Sequence, residues 1–268
     1  AALYSPWHAL RAFSELVGKT PMEYLRAVRL SSAAKQLRDT NRSVLDVALA
    51  SAFGSHEGFT KAFSREFAIS PQRYRKEAPP IPLFSYYPVL VKATTPKQQK
   101  GNETMASTVI FTQVIERPAR KLILKRGIKA EDYFAYCEEV GCEIWGILES
   151  IKGALYESIG VWLPAGMRRP GTSEYCQGVE VPADFSGAIP EGFDIIDLPA
   201  CKYLVFNGEA YDDDAFEEAI ETVWNAIEKY DPKLYGWEWA PKAGPRFQLA
   251  PVGARGYIEG VPVRELRK

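Results

Sequence analysis

Polar and basic side chains recur on one side of a short segment between residues 55 and 67. Phe59, Phe63 and Phe67 are spaced four residues apart, so on a helix they would share one buried face. The opposite face would then present groups that can bind nucleic acid, because guanidinium, ammonium and amide-like groups suit phosphates and base edges. These outward candidates are His56, Glu57, Thr60, Lys61, Ser64 and Arg65. For Lys61 and Arg65, a solvated face without a partner is the alternative.

A helix predicted over 6–17 carries Trp7, His8 and Arg11, side chains whose chemistry also suits nucleic acid. Arg11 could form a forked pair of hydrogen bonds with a guanine edge, and Trp7 could stack against a sugar or a thymine methyl. Core packing is the alternative for Trp7. Glu57, on the other segment, could accept a hydrogen bond from cytosine or repel unwanted phosphates.

The second half of the chain combines many aromatic side chains with a few carboxylates and amides. The aromatic side chains are Trp145, Trp162, Tyr175, Phe206, Trp237, Trp239 and Tyr257, and the polar ones considered with them are Glu180, Gln248 and Glu259. An aromatic wall suits a flat or lipophilic ligand, whose orientation an amide and one carboxylate could fix. Their assignment to one ligand site depends on the family resemblance of this region, given below. Plain core packing is the alternative for each tryptophan, and a surface ion pair is the alternative for Glu180.

Metal and covalent chemistry find little support in this sequence. The four cysteines form no C-x-x-C pair and there are only two histidines, so we expect no metal site and no cofactor. Asp212, Asp213 and Asp214 precede a helix predicted over 215–229, and we interpret them as an N-cap with acids that complement the helix dipole. No apolar run is long enough to predict a transmembrane helix.

Capping residues predict five helices in the first 78 residues. Thr20 and Ser43 are each followed three residues later by an acidic residue, as in a capping box. Ser5, Thr20 and Ser70 each precede a proline suited to the first helical position. The predicted helices span about 6–17, 21–38, 43–51, 55–67 and 71–76. Besides the three phenylalanines, the predicted core residues are Leu25, Val28, Ala33, Ala34, Leu37, Leu45, Ala48, Leu49 and Phe53.

Residues 40–74 contain two short helices separated by a tight break, the arrangement of a helix-turn-helix. Charge supports this interpretation. Residues 1–78 hold 12 Lys and Arg against 7 Asp and Glu, a net charge of +5, whereas the rest of the chain carries −6. A basic module joined to an acidic one fits a DNA-binding half beside a half that avoids phosphates, although chance variation between domains is the alternative.

Residues 79–107 are predicted to form a linker. Pro79, Pro80, Pro82 and Pro88 exclude a helix in its first part, and the polar stretch that follows is typical of a flexible connection. The first part, residues 81–91, is too apolar to be free in solvent. We expect it to pack on one domain as an extended arm.

The region 108–268 contains an internal repeat. Residues 116–127 parallel residues 197–208 at a spacing of 81, and Trp145 in the first half is answered by Trp224 in the second. Strands are predicted after each helix, at Ser158–Leu163 and Tyr175–Val181 in the first half and at Arg246–Ala250 and Gly256–Val263 in the second. Two strand-helix-strand-strand repeats give two antiparallel sheets that can pair into one platform.

The segment Tyr4–Arg75 resembles the AraC/XylS family of transcription regulators. The resemblance rests on T-P-M-E-Y-L-R-A-V-R-L, on S-V-L-D-V-A, on F-G-S-H-E-G-F-T-K-A-F-S-R-E-F and on S-P-Q-R-Y-R. It implies an all-α module of two helix-turn-helix units joined by a long helix, whose recognition helices enter successive major grooves. It places the helices at 6–17 and 55–67 in the two recognition positions. The resemblance implies that Trp7, His8 and Arg11 of the first helix, and His56, Glu57, Thr60 and Lys61 of the second, face DNA.

Two departures from the AraC/XylS pattern are visible. Relatives usually carry turn glycines where this chain has Ala52 and Ala68, and a positive φ at either alanine would cost roughly 1 kcal/mol. A complete module of the family also has two further helices before Tyr4. We therefore expect the first DNA-binding unit to be incomplete in this sequence.

The region 108–268 resembles the GyrI-like effector-binding family, through W-L-P, Q-G-V-E-V-P, L-P-A-C-K-Y, Y-G-W-E-W, P-R-F-Q-L-A-P and R-G-Y-I-E. The resemblance implies that small apolar or cationic ligands bind between the two pseudo-symmetric halves. In many relatives a buried glutamate, on the strand matching 246–250, pairs with the ligand's cation. Gln248 stands at that position here, so strict cation selectivity is not expected, and Glu180 or Glu259 could substitute.

Together these features predict a multi-domain protein: an all-α AraC-type double helix-turn-helix at 1–78, N-terminally incomplete, a linker at 79–107, and an α+β GyrI-like domain at 108–268. The favoured hypothesis is a cytoplasmic, non-enzymatic, ligand-responsive transcription regulator. Its implied partners are an operator in double-stranded DNA, a small-molecule effector and RNA polymerase, with no membrane. The alternatives are a GyrI-like hydrolase of strained electrophiles, in which Glu180 would activate water, and a partner-binding module.

Overall fold

A computed structural model describes residues 6–85 and 109–266 of the 268-residue chain. The chain divides into two compact units. The first comprises Ala1–Pro96 with the short stretch Ser150–Lys152, and the second comprises Lys97–Glu149 and Gly153–Lys268. We call them the helical unit and the sheet unit. The predicted boundary residues fall partly outside the described ranges, so the linker at 79–107 stays a prediction.

The described part of the helical unit contains five α-helices, each within one residue of its predicted bounds at either end. They are α1 (Pro6–Val17), α2 (Pro21–Asp39), α3 (Val44–Ala50), α4 (His56–Phe67) and α5 (Pro71–Glu77). Their starts follow from local capping chemistry. Both predicted capping boxes are confirmed, with Thr20 and Glu23 at the start of α2 and Ser43 and Asp46 at the start of α3.

The helices of the helical unit pack around an apolar core. Phe59, Phe63 and Phe67 are buried on the inner face of α4, as their spacing predicts. The beginning of the predicted arm joins this core, since Ile81 and Leu83 are 5% and 3% exposed and belong to the same cluster. The arm is therefore confirmed over residues 81–85, and its continuation to residue 91 lies outside the described residues.

Part of the predicted core of α2 is wrong. Leu25 and Val28 are each 39% exposed, whereas Ala27, Leu30 and Ala34 form the buried face. The buried positions follow helical spacing, and Leu25 and Val28 lie on the other side of that helix because each residue advances the helix by about 100°.

The predicted core of α3 contains the same kind of error. Leu45 and Leu49 are 50% and 59% exposed, while Val44, Val47 and Ala48 face inward. The helix has only 7 residues, so a shift of one position in phase turns the leucines outward without changing the predicted bounds.

The backbone at the two predicted departures is left-handed. Ala52, in the turn between α3 and α4, has φ 57°, and Ala68, which ends α4, has φ 55°. The positive φ considered for these alanines is therefore present at both. This backbone region is strained for alanine, because L-residues with a Cβ atom disfavour it.

Within residues 109–266 the sheet unit contains nine strands in one antiparallel sheet. They are β1 (Phe111–Arg117), β2 (Arg120–Arg126), β3 (Ile159–Trp162), β4 (Tyr175–Pro182), β5 (Asp194–Leu198), β6 (Cys201–Asn207), β7 (Trp237–Trp239), β8 (Arg246–Leu249) and β9 (Ile258–Glu265). The order is β1-β6-β9-β8-β3-β4-β2-β5, and β7 pairs with β9. Three helices accompany the sheet: α6 (Tyr133–Val140), α7 (Ile144–Ser150) and α8 (Phe216–Lys229).

The two predicted strand-helix-strand-strand repeats are confirmed, but the described sheet also contains three strands that the sequence did not predict, β1, β5 and β7. Strands β3 and β8 pair with each other and join the halves into a continuous sheet. Each repeat also begins with a strand that the sequence did not predict, β1 or β5. These two strands are exchanged, because β1 pairs with β6 of the second half and β5 pairs with β2 of the first. Strand β1 is mostly exposed, and its sequence lacks the alternating apolar pattern that would predict a strand.

The interpretation of the three aspartates before α8 is wrong in detail. Asp213 and Asp214 lie in a short 3₁₀ turn, Asp213–Ala215, that precedes the helix, so Ala215 is the N-cap, and the side chain of Asp212 makes no capping hydrogen bond. In the described part of the chain, no helix is both long and apolar enough to cross a bilayer.

Candidate functional sites

The outer face of α4 carries most of the predicted groove contacts. His56, Glu57, Lys61 and Arg65 are exposed, and the three phenylalanines on the other side fix this orientation. Ser55 starts the helix by accepting a hydrogen bond from the Gly58 backbone at 3.0 Å. The outer face can therefore meet a polyanion without unpacking the core.

Thr60 differs from its neighbours on α4. Its side chain is half-buried, and its Oγ1 atom is inaccessible to solvent and makes no hydrogen bond. The hydroxyl is thus turned toward the protein in this conformation, and its role as a groove contact stays a prediction.

The predicted contacts on α1 are also at the surface. Trp7 is 70% exposed, and His8 and Arg11 are exposed beside it. The Arg11 guanidinium pairs with Glu15 at 2.8 Å and lies 5.9 Å from the Trp7 ring centroid. Because this pair is solvent-exposed it is weak, so Arg11 can exchange Glu15 for another acceptor.

A surface depression of about 530 Å³ lies between the ends of α3, α4 and α5. It is lined by Ser43, Val44, Leu45, His56, Gln72, Arg75 and Lys76. Arg75 and Lys76 were not among the predicted contacts, although their place in the last turn of α5 could have indicated them. The depression extends the basic surface that begins on α4.

The centre of the sheet unit holds a hydrogen-bonded cluster of predicted ligand-binding residues. The Gln248 amide donates to the Tyr175 hydroxyl at 3.1 Å, and the Tyr257 hydroxyl lies 3.0 Å from Gln248 Oε1. Gly160 makes room for them, because a Cβ atom there would lie 2.2 Å from the Tyr175 hydroxyl. Burial raises the pKa of Tyr175 and Tyr257, so both phenols remain neutral hydrogen-bonding groups.

Glu259 belongs to the same cluster and is fully buried. Its carboxylate accepts hydrogen bonds from Arg246 Nε and from Trp224 Nε1, the latter at 2.8 Å, and the Tyr257 hydroxyl lies 3.0 Å away. The Arg246 guanidinium lies 5.1 Å from the ring centroid of Trp162 and 5.8 Å from that of Trp224. We call Trp162, Tyr175, Trp224, Arg246, Gln248, Tyr257 and Glu259 the central cluster.

The remaining predicted aromatic residues pack around this cluster as core. Phe206 lies 5.2 Å from Tyr230 and 6.4 Å from Trp239, measured between ring centroids. Trp237 joins the same apolar cluster under α8, and Trp145 is 2% exposed on α7. Core packing therefore accounts for these side chains.

Glu180 lies apart from the central cluster. It shares β4 with Tyr175, but five residues separate them, so strand alternation puts their side chains on opposite faces of the sheet. Its two carboxylate oxygens accept from Arg117 Nη1 and from Arg120 Nε, the latter at 2.7 Å. Arg117 stacks on Phe247, with its guanidinium carbon 4.1 Å from the ring centroid.

Arg120 extends this ion cluster to both hairpin turns. Its Nη1 atom donates to the carbonyls of Pro118 and Pro199, each at 3.1 Å, and its Nη2 atom donates to the Tyr203 hydroxyl at 3.0 Å. Pro118 and Pro199 are equivalent positions of the two repeats. Arg120 thus fastens the repeats together, and we call Arg117, Arg120 and Glu180 the buried clamp.

Within residues 6–85 and 109–266, no group of three or more His, Cys, Asp or Glu side chains is placed to hold a metal ion. A second surface depression, of about 660 Å³, lies in the sheet unit. It is lined by Phe111, Asn207, Gly208, Glu209, Ala210, Ala254 and Arg255, none of which is a predicted ligand-binding residue.

Residues 1–77 match the family described as a helix-turn-helix domain. This region is an AraC-type helix-turn-helix domain. The AraC-type domain is similar to the Right origin-binding protein of Escherichia coli (strain K12), with 45% identity over 73 residues, 27% of this chain and 25% of that protein. It is also similar to the HTH-type transcriptional activator AarP of Providencia stuartii, with 43% identity over 72 residues, 27% of this chain and 53% of AarP.

The chain spans about a quarter of the length of the first curated relatives that it matches. A solved structure from Staphylococcus aureus MU50, described as a transcription regulation protein, is 18% identical and covers 57% of this chain and 98% of its own, with a TM-score of 0.39. At this level the likeness carries no argument about ligands or activity.

Sequence reasoning missed two members of the central cluster, Trp224 and Arg246. The repeat already paired Trp224 with Trp145, so the position was marked but not assigned to the site. Arg246 stands two residues before Gln248 on β8, and alternate residues of a strand share a face. That spacing was the available signal for Arg246.

Proposed function

We propose that this protein is a DNA-binding transcription regulator whose sheet unit binds a small lipophilic or aromatic effector. The observation that carries the proposal is the exposed polar face of α4 within an AraC-type domain. Helices of this kind enter the major groove, where basic side chains hold phosphates and polar ones meet base edges.

Lys61 and Arg65 are the proposed phosphate contacts on α4. Both are exposed and stand four residues apart, so they lie on one side of the helix. Each phosphate contact releases condensed counterions from DNA, so removing one side chain weakens binding to all sequences and lowers the salt slope by about 1. Arg11 is the proposed base reader, and its loss relaxes specificity at one position.

The test begins by selecting an operator from a random duplex pool with the full chain. Affinity for the selected duplex is then measured by fluorescence anisotropy over a range of salt for the original protein, Lys61→Ala, Arg65→Ala and Arg11→Ala. The matched control is Lys233→Ala, because Lys233 is an exposed lysine of the sheet unit. Affinity and salt slope that stay unchanged in Lys61→Ala and Arg65→Ala would rule out the proposed DNA-binding face.

The central cluster is the proposed effector site. It combines aromatic rings with an amide and a carboxylate, a composition that orients flat ligands, and its sequence context resembles GyrI-like effector-binding domains. An uncharged aromatic effector should perturb the indole signals of Trp162 and Trp224 and change the affinity for the selected operator. An effector that perturbs those indoles but leaves DNA affinity unchanged would separate ligand binding from regulation.

The hydrolase alternative gains no support from the described residues. Glu180, the candidate base, has both carboxylate oxygens engaged by guanidinium groups and is 1% exposed. A carboxylate held in this way has no free oxygen directed at a substrate water. Both histidines of the chain lie in the helical unit.

A further inference from the structure

The central cluster already contains a cation of its own. Arg246 directs Nε at the buried carboxylate of Glu259, and its guanidinium lies within cation–π distance of the rings of Trp162 and Trp224. Two aromatic rings and a buried carboxylate are the groups that bind an organic cation from solution. Here Arg246, a side chain of the protein itself, contacts these groups.

The hydrogen-bonding capacity of Glu259 is largely used. One oxygen accepts from Arg246, and the other accepts from Trp224 Nε1 at 2.8 Å, with the Tyr257 hydroxyl 3.0 Å away. The Glu259 side chain is 0% exposed, whereas that of Arg246 is 36% exposed. Arg246 is therefore the solvent-facing part of the pair, and a cation from solution would have to displace it.

Displacement would have an unfavourable electrostatic balance. The Arg246 and Glu259 charges cancel, so the pair offers no net attraction to a second cation. An incoming cation must also leave water to enter a site where its countercharge is already neutralised. Two further carboxylates act electrostatically on Arg246. Glu228 is exposed, so solvent screens its charge, and Glu174 is paired with Arg168 at 2.6 Å. An uncharged aromatic ligand meets no such cost and can use the indole faces and the Gln248 amide.

We propose that Arg246 is a built-in occupant of an organic-cation site and restricts the effector of this protein to uncharged aromatic compounds. This inference rests on the proposed function, because it names the ligand class of the same effector site. In this proposal Arg246 determines whether the site accepts neutral or cationic ligands.

The experiment compares two probes of nearly equal shape on the full chain: the cation phenyltrimethylammonium and its neutral isostere tert-butylbenzene. Binding is followed through the NMR signals of the Trp162 and Trp224 indole N–H groups. The original protein should favour the neutral probe, and Arg246→Ala should shift the preference toward the cation by at least about tenfold, because it leaves Glu259 without its cation.

Two further variants keep the test decisive. Arg246→Lys retains the positive charge and should still exclude the cation. Arg264→Ala is the matched control, since Arg264 pairs with Glu238 at the surface of the same sheet and its loss should leave both affinities unchanged.

Removal of Arg246 alone leaves a buried carboxylate unpaired and could prevent folding. The double variant Arg246→Met/Glu259→Gln removes both charges together. It should bind the neutral probe and gain no affinity for the cation. A gain for the cation in this variant would contradict the role given to Glu259 and overturn the proposal.

The outcomes separate this proposal from the proposed function. If the original protein binds the neutral probe and Arg246→Ala shows the same preference, the role of Arg246 is wrong and the effector site stands. If the original protein binds the cation at least as tightly as the neutral probe, the proposed ligand class is wrong. If no variant shows a change at either indole with either probe, the effector site and the Arg246 proposal both fail.

Discussion

The helical unit and the sheet unit differ in how deeply their most buried ion pairs lie. In the helical unit the pair of Arg11 with Glu15 lies at the surface, and the two side chains are 63% and 64% exposed. In the sheet unit, Arg120 and Glu180 are 0% and 1% exposed. Exposed charges remain free to exchange partners, whereas buried charges must keep them because an unpaired buried charge is very costly.

This difference separates two kinds of recognition. The helical unit can offer Lys61 and Arg65 to an external polyanion without losing an internal contact. In the sheet unit the buried carboxylates of Glu180 and Glu259 are already paired with arginines of the same chain. A ligand there has to be selected by shape, aromatic contact and neutral hydrogen bonds. The following predictions test whether the contrast holds.

The largest expected effect is in the buried clamp. Arg120→Ala should destabilise the sheet unit by about 3–5 kcal/mol, because it leaves Glu180 with one cation and removes hydrogen bonds to Pro118, Pro199 and Tyr203. Denaturant unfolding followed by tryptophan fluorescence measures this change, since five of the six tryptophans lie between residues 109 and 266.

The control for the clamp is Arg264→Ala, which removes an exposed ion pair. The Arg264 side chain is 63% exposed, so this change should cost no more than about 1 kcal/mol. Equal costs for Arg120→Ala and Arg264→Ala would abolish the contrast between buried and exposed charge.

A smaller effect of opposite sign is expected in the backbone of the helical unit. Ala68→Gly should stabilise that unit by about 0.5–1 kcal/mol, because φ is 55° at this position and glycine adopts positive φ without a Cβ clash. Far-UV circular dichroism during denaturant unfolding measures the gain. The matched control is Ala50→Gly, at an exposed helical position of α3, which should destabilise by a similar amount. A loss of stability in Ala68→Gly would contradict the assigned strain.

The smallest effect concerns the exposed carboxylates that cap helices. Hydrogen bonds from the Thr20 backbone and hydroxyl lower the pKa of Glu23 below its ordinary value of 4.5. A depressed carboxyl pKa adds stability above the ordinary value and loses it as the pH falls through the folded value. Glu23→Gln should therefore flatten the loss of helix stability below pH 4.5, as measured by circular dichroism against pH. If the stability of Glu23→Gln falls below pH 4.5 as steeply as that of the original protein, the charge of Glu23 does not contribute to helix stability.

The sequence was informative where structure is determined locally. Helix starts depend on residues within one turn, so Thr20, Ser43 and Ser70 located α2, α3 and α5 to within one residue. Burial on a short helix was less predictable. Helix α3 has only 7 residues, so its few apolar positions do not define which side is buried, and the prediction placed Leu45 inside instead of its neighbour Val44.

The sites were less predictable because their contacts are distant in sequence. The clamp joins Arg117 and Arg120 to Glu180 across 63 and 60 residues. The pairing of β2 with β4 brings Arg120 to Glu180, whereas Arg117 lies on β1, which pairs with β6 of the other half. The aromatic composition predicted Trp162 and Tyr175 as neighbours of a ligand, and the family resemblance predicted Gln248. The ion pair of Arg246 with Glu259 could not be predicted, because it depends on the register of β8 against β9 and no local sequence pattern contains that register.

The exchanged strands β1 and β5 make each half of the sheet depend on the other. Removing one half would take away the strand at the edge of the remaining half, β1 beside β6 or β5 beside β2. Because both halves belong to one chain, each half receives the other's strand in an intramolecular step, which does not depend on protein concentration.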